Sequence, residues 1–184
     1  MTKLSGLALS LIALGAIASP ASALTLSSPD VPAGSAIAAK HVANVFGCSG
    51  GGVSPALTWK DPPKGTKSYV LTVYDPDAPT GSGFWHWVVA NIPASAHGLP
   101  QGVKPNGAGL PAGAIQTRTD AGAKTGYVGP CPPAGDKPHR YVFTLYALKA
   151  DKLDVNADSS GALVGFNVHF AQIDKASFTA TFGR

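Results

Sequence analysis

The segment Asp75-Pro76-Asp77-Ala78-Pro79 divides two stretches that otherwise read as paired β-strands. Before it, Tyr69-Val70-Leu71-Thr72-Val73-Tyr74 is β-branched and aromatic. After it, Phe84-Trp85-His86-Trp87-Val88-Val89 has the same character. Neither proline of the loop can donate a backbone hydrogen bond, and each fixes its own φ. Such a loop gives up sheet pairing and holds its carboxylates in place. Two acids and the imidazole of His86 are therefore expected at the rim of a sheet, an arrangement suited to recognition.

The rest of the chain supports a β-rich reading. Its 184 residues are 45% hydrophobic and 13% charged, enough for one domain with a core and too few for two. The 22 glycines and 16 prolines favour short strands and turns over long helices. His139 to Leu148 reads as a strand with Tyr141, Phe143 and Leu145 on one face. Pro55 to Trp59, Ala114 to Arg118 and Phe178 to Phe182 are shorter candidates. One helix is signalled by a cap at Ser159 or Ser160 and an apolar stripe of Leu163, Phe166, Phe170 and Ile173. Pro100 to Gly126 is long and aperiodic, which marks either a functional loop or a concealed strand. The fold class expected is mostly β with one or two short helices.

Residues 1–23 read as a signal peptide, leaving a single domain over 24–184. Lys3 gives a positive start, Leu7 to Ile17 an apolar core, and Ala21-Ser22-Ala23 a cleavage site. The apolar run is too short and too broken by Gly15, Ser19 and Pro20 for stable membrane insertion. A periplasmic or secreted location follows. Without Lys3 the chain carries 13 basic and 10 acidic residues, a net charge of +3 with no basic run, which argues against nucleic acid. Cys48 and Cys131, the only cysteines, lie in Gly/Pro-rich loops of a chain bound for an oxidising compartment, so a disulfide between them is expected.

Asp75, Asp77, His86 and His139 all fall at strand ends or beside Pro-rich loops. Two imidazoles with nearby amides suit a small anion, and the carboxylates could orient the rings or raise their pKa. Either Asp alone could equally cap a turn. By strand alternation, Trp85 and Trp87 should point to the face opposite His86. Enzymatic readings are weaker. Gly47-Cys48-Ser49-Gly50-Gly51 matches the nucleophile-elbow pattern, but Gly52-Val53-Ser54-Pro55 cannot open the required helix. A calcium loop starting at Asp75 lacks its Gly at position six and its Glu at position twelve. No cofactor is expected, and no residue set has diagnostic metal-ligand spacing.

The chain resembles the phosphatidylethanolamine-binding proteins, and within them the bacterial Raf-kinase-inhibitor-like branch. The likeness runs from about Val45 to the C-terminus. It rests on Ser54-Pro55-Ala56-Leu57-Thr58-Trp59, Tyr74 to Gly83, Trp85-His86-Trp87-Val88-Val89, Gln116-Thr117-Arg118-Thr119-Asp120, Pro132-Pro133-Ala134-Gly135, His139-Arg140-Tyr141 and Ser160 to Phe166. The resemblance implies two packed sheets with a small anion pocket at one end. Its ligand-binding signature falls on Asp75, Asp77, His86, His139 and Tyr141, with Gly129, Pro132 and Pro133 in a segment that closes the pocket. It further implies a cis Ala78–Pro79 bond, cysteines placed as in secreted relatives, and a pocket more open than in eukaryotic members, whose bordering C-terminal helix has no counterpart before Arg184. Arg140 looks like a structural partner for one acid, and Asp75 is assigned as the acid facing the ligand.

The function expected is binding of a small phosphate-like or phospho-head-group anion, with a protein partner that it inhibits or modulates. Hydrolysis or lysis by an Asp/His acid–base pair is the alternative. The oligomeric state expected is monomer or homodimer.

Overall fold

The structure is a computed structural model of the chain and describes residues 23–122 and 125–184. The leader expected at residues 1–23 lies outside these residues except for Ala23. Among the described residues, no helix is long and apolar enough to cross a membrane.

Among the described residues, eight strands form two sheets. The smaller joins β1 (Thr25–Ser27), β2 (Leu57–Lys60) and β5 (Gly98–Leu99) in the order β1-β2-β5. The larger joins β3 (Ser68–Asp75), β4 (Phe84–Pro93), β6 (Ile115–Gln116), β7 (His139–Leu148) and β8 (Gln172–Phe182) in the order β6-β4-β3-β7-β8. Every ladder pairing within these sheets is antiparallel. The one α-helix among the described residues, α1 (Gly161–Ala171), lies on the outer side of the larger sheet. Two packed sheets with one α-helix match the expected class.

Alternation along β3 explains the layering. Tyr69, Leu71 and Val73 point inward, where they meet Tyr141, Phe143 and Leu145 of β7 and Leu57 and Trp59 of β2. Val70 points outward and packs with Val88, Ala90 and Leu148 under Val164, Val168 and Ala171 of α1. Both faces of the central strands are thus covered, which is why β3 reads as an almost continuous apolar run.

β4 departs from regular alternation twice. Val73 pairs with Trp87 and Tyr74 with Trp85, so His86 is an extra residue with no partner across the ladder. This bulge overturns the expected placement of Trp87, while Trp85 lies on the face opposite His86 as expected. Trp85 faces outward, its ring 4.5 Å from that of Tyr74. Trp87 turns inward on the same side as His86 and donates from Nε1 to Gln116 Oε1 at 2.7 Å. The second bulge sits at Asn91, in the left-handed region at φ 57°. Its side chain secures the 150s loop through Leu153, accepting from the backbone N–H at 2.8 Å and donating to the carbonyl at 3.3 Å.

The described part of the long 100–126 stretch is tied down by polar side chains. Gln116 Nε2 donates to the carbonyls of Lys104 and Pro105, and Ser54 Oγ accepts from Val103 N. A short strand is present where Ala114–Arg118 suggested one. At α1, Ser160 is the N-cap, its hydroxyl accepting from Leu163 N at 3.2 Å. The helix stops at Ala171, and Ile173, expected to continue it, belongs to β8. The stripe that announced the helix is not the face that packs. Leu163, Phe166 and Phe170 lie outside, and the core contacts come from Val164, Val168 and Ala171.

Candidate functional site

Asp75 closes β3 on its inward face and is buried. Its Oδ1 accepts from the backbone N–H of Asp77 at 2.8 Å and of Ala78 at 3.1 Å, an Asx turn that reverses the chain. The described chain contains no cis peptide bond, so the cis Ala78–Pro79 linkage expected from the resemblance is not present. The Asx turn achieves the reversal with trans geometry, which X–Pro bonds favour by roughly 0.5–1 kcal/mol.

Asp75 Oδ2 accepts from His139 Nδ1 at 2.7 Å. His139 and Tyr141 share the inward face of β7, two residues apart. The bulge in β4 delivers His86 to the same place, with its ring 5.1 Å from Tyr141 and 4.7 Å from Phe84. His86 Nδ1 donates to the Val128 carbonyl at 2.8 Å, while its own carbonyl accepts from Val128 N at 2.9 Å. The ring bond to the Val128 carbonyl, which can only accept, fixes the tautomer. Nδ1 carries the hydrogen, and Nε2 is turned towards Asp75 Oδ2 at 4.0 Å.

These groups line a cavity of about 200 Å³ at one end of the larger sheet. Gly129, Pro132 and Pro133 form one wall, and Ala78, Pro79 and Phe84 another. Gly129 is pressed against the backbone of His41 to Ala43, where a Cβ would collide. Pro130 O accepts from Ala43 N at 3.0 Å, and a disulfide joins Cys48 to Cys131. The closing loop is thereby tied to the 40s segment, which sends Phe46 to the cavity mouth.

Of the residues singled out in the sequence, Asp75, His86, Gly129, Pro132, Pro133, His139 and Tyr141 all line this cavity. Asp77 does not. It faces away, with Oδ2 accepting from Arg140 N at 2.8 Å and Nε at 2.9 Å, and Oδ1 accepting from Arg140 Nη2 at 2.6 Å. The two acids of the loop thus divide their work: Asp75 meets the cavity, and Asp77 clamps the loop to β7.

Arg184 and Phe46 escaped sequence reasoning. Arg184 Nε donates to Pro132 O at 2.7 Å and Nη1 to Gly47 O at 3.2 Å, bridging the two disulfide-linked loops. No local pattern marks either residue. The disulfide, which places residue 46 beside residue 131, was the one available hint.

The electrostatics follow from burial and partners. Burial pushes the His86 imidazole below its ordinary range, against the smaller pull of Val128 and Asp75. Burial also acts on His139, but the hydrogen bond and charge of Asp75, with Asp136 behind, outweigh it and raise its pKa. Burial and the charge of Asp75 raise Tyr141 far above the usual phenol, so its hydroxyl stays protonated. That hydroxyl is buried and has no partner within the protein.

The Arg140 guanidinium holds the Asp77 carboxyl at about 2. Because this folded-state pKa is depressed, the clamp stabilises fully above the unfolded value of about 3.9 and fades as pH falls towards 2. Replacing Arg140 with alanine is expected to move the midpoint of acid unfolding to higher pH while leaving neutral-pH stability within about 1 kcal/mol, as for other exposed pairs. Circular dichroism during acid titration measures both.

The family model described as phosphatidylethanolamine-binding protein matches residues 24–183. The chain belongs to the phosphatidylethanolamine-binding protein family. Within it, YbhB of Escherichia coli (strain K12) is 52% identical over 159 residues, covering 86% of this chain and 99% of YbhB. The crystal structure of E. coli YbcL, described as a new member of the mammalian family, superposes with a TM-score of 0.86 at 47% identity. That match covers 89% of this chain and 99% of YbcL. A putative lipoprotein of Mycobacterium tuberculosis, LppC, is 33% identical over 159 residues, 86% of this chain and 72% of LppC.

Proposed function

We propose that this member of the phosphatidylethanolamine-binding protein family is an exported binding protein that takes a small phosphate-like or phospho-head-group anion into the cavity at Asp75, His86, His139 and Tyr141. The unpartnered Tyr141 hydroxyl carries the reading. A buried polar group without a partner costs about 1–3 kcal/mol, and a ligand oxygen that accepts from it removes that cost. The mostly apolar walls restrict the ligand to a compact head group, and the resemblance adds modulation of a protein partner. Export is supported by the apolar leader, by the disulfide and by the lipoprotein name of LppC. The supporting test is a side-chain NMR titration with inorganic phosphate and phosphorylethanolamine. Shifts at His86 and His139 are expected, and their absence at millimolar ligand would sink the proposal. Turnover of a phosphoester that vanishes in His86→Ala would replace binding with acid–base catalysis.

The proton balance of His86 gives the binding a direction with pH. With Nδ1–H committed to Val128, neutral His86 offers only a lone pair at Nε2. Protonation turns Nε2 into a donor that an anion can accept from. Free His86 is held below its ordinary range by burial, and a bound anion raises it. Affinity for an anion with no proton of its own, such as sulfate, should therefore rise as pH falls through the range between those two values. Calorimetry in buffers of different ionisation enthalpy should register proton uptake. Binding without uptake would mean that His86 Nε2 does not face the anion.

A further inference from the structure

We propose that the cavity takes a singly charged phosphomonoester that brings its own P–O–H, the hydroxyl donating to His86 Nε2 while a second phosphoryl oxygen accepts from Tyr141. The assignment rests on the anion-binding reading above and narrows it to one class of anion. Hydrogen phosphate and phosphonate monoanions share the pattern. Phosphodiesters, sulfate and sulfate monoesters lack the O–H and are disfavoured.

The class is set by the hydrogen-bonding capacity left over once the protein's own bonds are made. Among the described residues, Asp75, Thr80, His86, His139 and Tyr141 are the polar side chains lining the cavity, beside the disulfide sulfur of Cys131. The Thr80 hydroxyl donates to Gly83 O. His139 meets a carboxylate at each ring nitrogen, Asp75 Oδ2 at 2.7 Å from Nδ1 and Asp136 Oδ2 at 3.4 Å from Nε2. His86 Nδ1 donates to Val128 O at 2.8 Å. The side-chain donor that remains is the Tyr141 hydroxyl, buried and unpartnered. The acceptors that remain are the Nε2 lone pair of neutral His86 and the free lone pair of Asp75 Oδ2. Pro79, Pro132 and Pro133 in the walls carry no backbone N–H.

Those two acceptors confront each other. Nε2 and Oδ2 stand 4.0 Å apart, beyond hydrogen-bond reach, and neither can donate while the imidazole is neutral. Burial favours that neutral form. Facing lone pairs repel, the more so in surroundings of low polarity, and a donor brought between them relieves the repulsion. An oxyanion stripped of protons makes matters worse, because every oxygen it presents is a further acceptor. An oxyanion with one O–H satisfies both sides, its hydroxyl on Nε2 and a bare oxygen on Tyr141. His86 is faced by Asp75 from β3, His139 and Tyr141 from β7 and Asp120 from the segment after β6, together with the carbonyls of Val128 and Gly129. Its protonation supplies the missing donor from the protein instead, so anions without an O–H bind only with uptake of a proton.

Methyl phosphate and methyl sulfate test this as a matched pair. At about pH 5.5 both are mostly singly charged, and they share a shape but differ by the one O–H. Calorimetry on the parent protein at that pH should find methyl phosphate bound about a hundredfold or more tighter, the direction expected when a site built for an O–H meets an analogue without it. The gap should narrow as pH falls, with methyl sulfate taking up a proton on binding and methyl phosphate none. His86→Gln, whose amide can donate or accept, should bring the pair to within about threefold. Tyr141→Phe should weaken both alike and preserve their ratio. Equal affinities in the parent, or tighter methyl sulfate, overturn the proposal and leave the anion reading standing. Failure of both ligands at tens of millimolar overturns the anion reading and the proposal with it. A free monoester and the phosphate of a phosphatidate share this chemistry. Saturation by phosphorylethanolamine without binding to phosphatidate in phosphatidylcholine vesicles assigns a soluble ligand, and vesicle binding lost in Tyr141→Phe assigns a lipid; either supports the monoester.

Discussion

Asp75→Ala should lower the unfolding free energy by about 3–5 kcal/mol, the range for breaking one side of a buried charged pair, and remove anion binding. The carboxylate is the sole hub of the site. One oxygen accepts from the N–H groups of Asp77 and Ala78, and the other from His139 Nδ1. Deletion leaves three donors unmet in a buried corner and releases the loop that forms one cavity wall. Asp75→Asn should be milder for the turn, since an amide oxygen can still cap it, but should lower the pKa of His139 by removing the charge that raises it. Urea unfolding gives the stability change, and an NMR pH titration of His139 gives the pKa change. A loss below about 1 kcal/mol in Asp75→Ala would show that the turn is held by its prolines alone, since surface substitutions remain near that scale.

The second large effect is expected from the disulfide. Cys48 and Cys131 are 83 residues apart in sequence, with Cα atoms at 6.0 Å. Closing a loop of that length stabilises by about 4–5 kcal/mol in the chain-entropy account, and measured losses of native bridges run at about 2–5 kcal/mol. A double Cys→Ala variant should therefore unfold at markedly lower denaturant concentration. It should also bind anions more weakly, because Cys131 is part of the cavity wall and its partner segment carries Phe46. Urea titrations of the oxidised protein and the variant, each with and without phosphate, separate the two effects. Equal midpoints would place the stability of the 129–133 loop in its backbone contacts with residues 41–43 and in Arg184.

Both predictions concern residues that were legible in the sequence. Asp75 stood out because an acid between a β-branched run and a proline has few uses other than capping or contact. The cysteines stood out because they were the only pair in a chain whose first residues read as a leader. His139 and Tyr141 were placed correctly on one face because β7 is regular from end to end. His86 was found as a site residue, but its neighbour Trp87 was placed on the wrong face. The bulge that brings it inward is set by pairing with β3 and by the two bonds to Val128, 42 residues away. Asp77 was grouped with the cavity because spacing alone cannot say which of two nearby carboxylates turns inward. The answer depends on Arg140, which lies across the β3–β7 ladder and captures it.

The helix shows the same limit from another side. Periodicity at 163, 166, 170 and 173 correctly announced a helix, since the capping serine and the 3.6-residue repeat are local properties. Which side packs is not local. The outer face of the larger sheet offers a trough between Val70, Val88 and Leu148 that small and β-branched side chains fill. Gly161 lies so close to the Trp85 ring that a Cβ would collide. The bulkier stripe is left outside.

The sequence by itself determined the central strands β3, β4 and β7, the capped helix, the covalent link and the chemical types at the site, because these depend on periodicity, turn chemistry and residue identity over a few neighbours. The tertiary structure alone decided which acid faces the cavity, which way His86 and Trp87 point, which helix face is covered and how Arg184 joins the two loops. Each of those outcomes is set by contacts between segments tens of residues apart, where register and close packing decide the direction of a side chain.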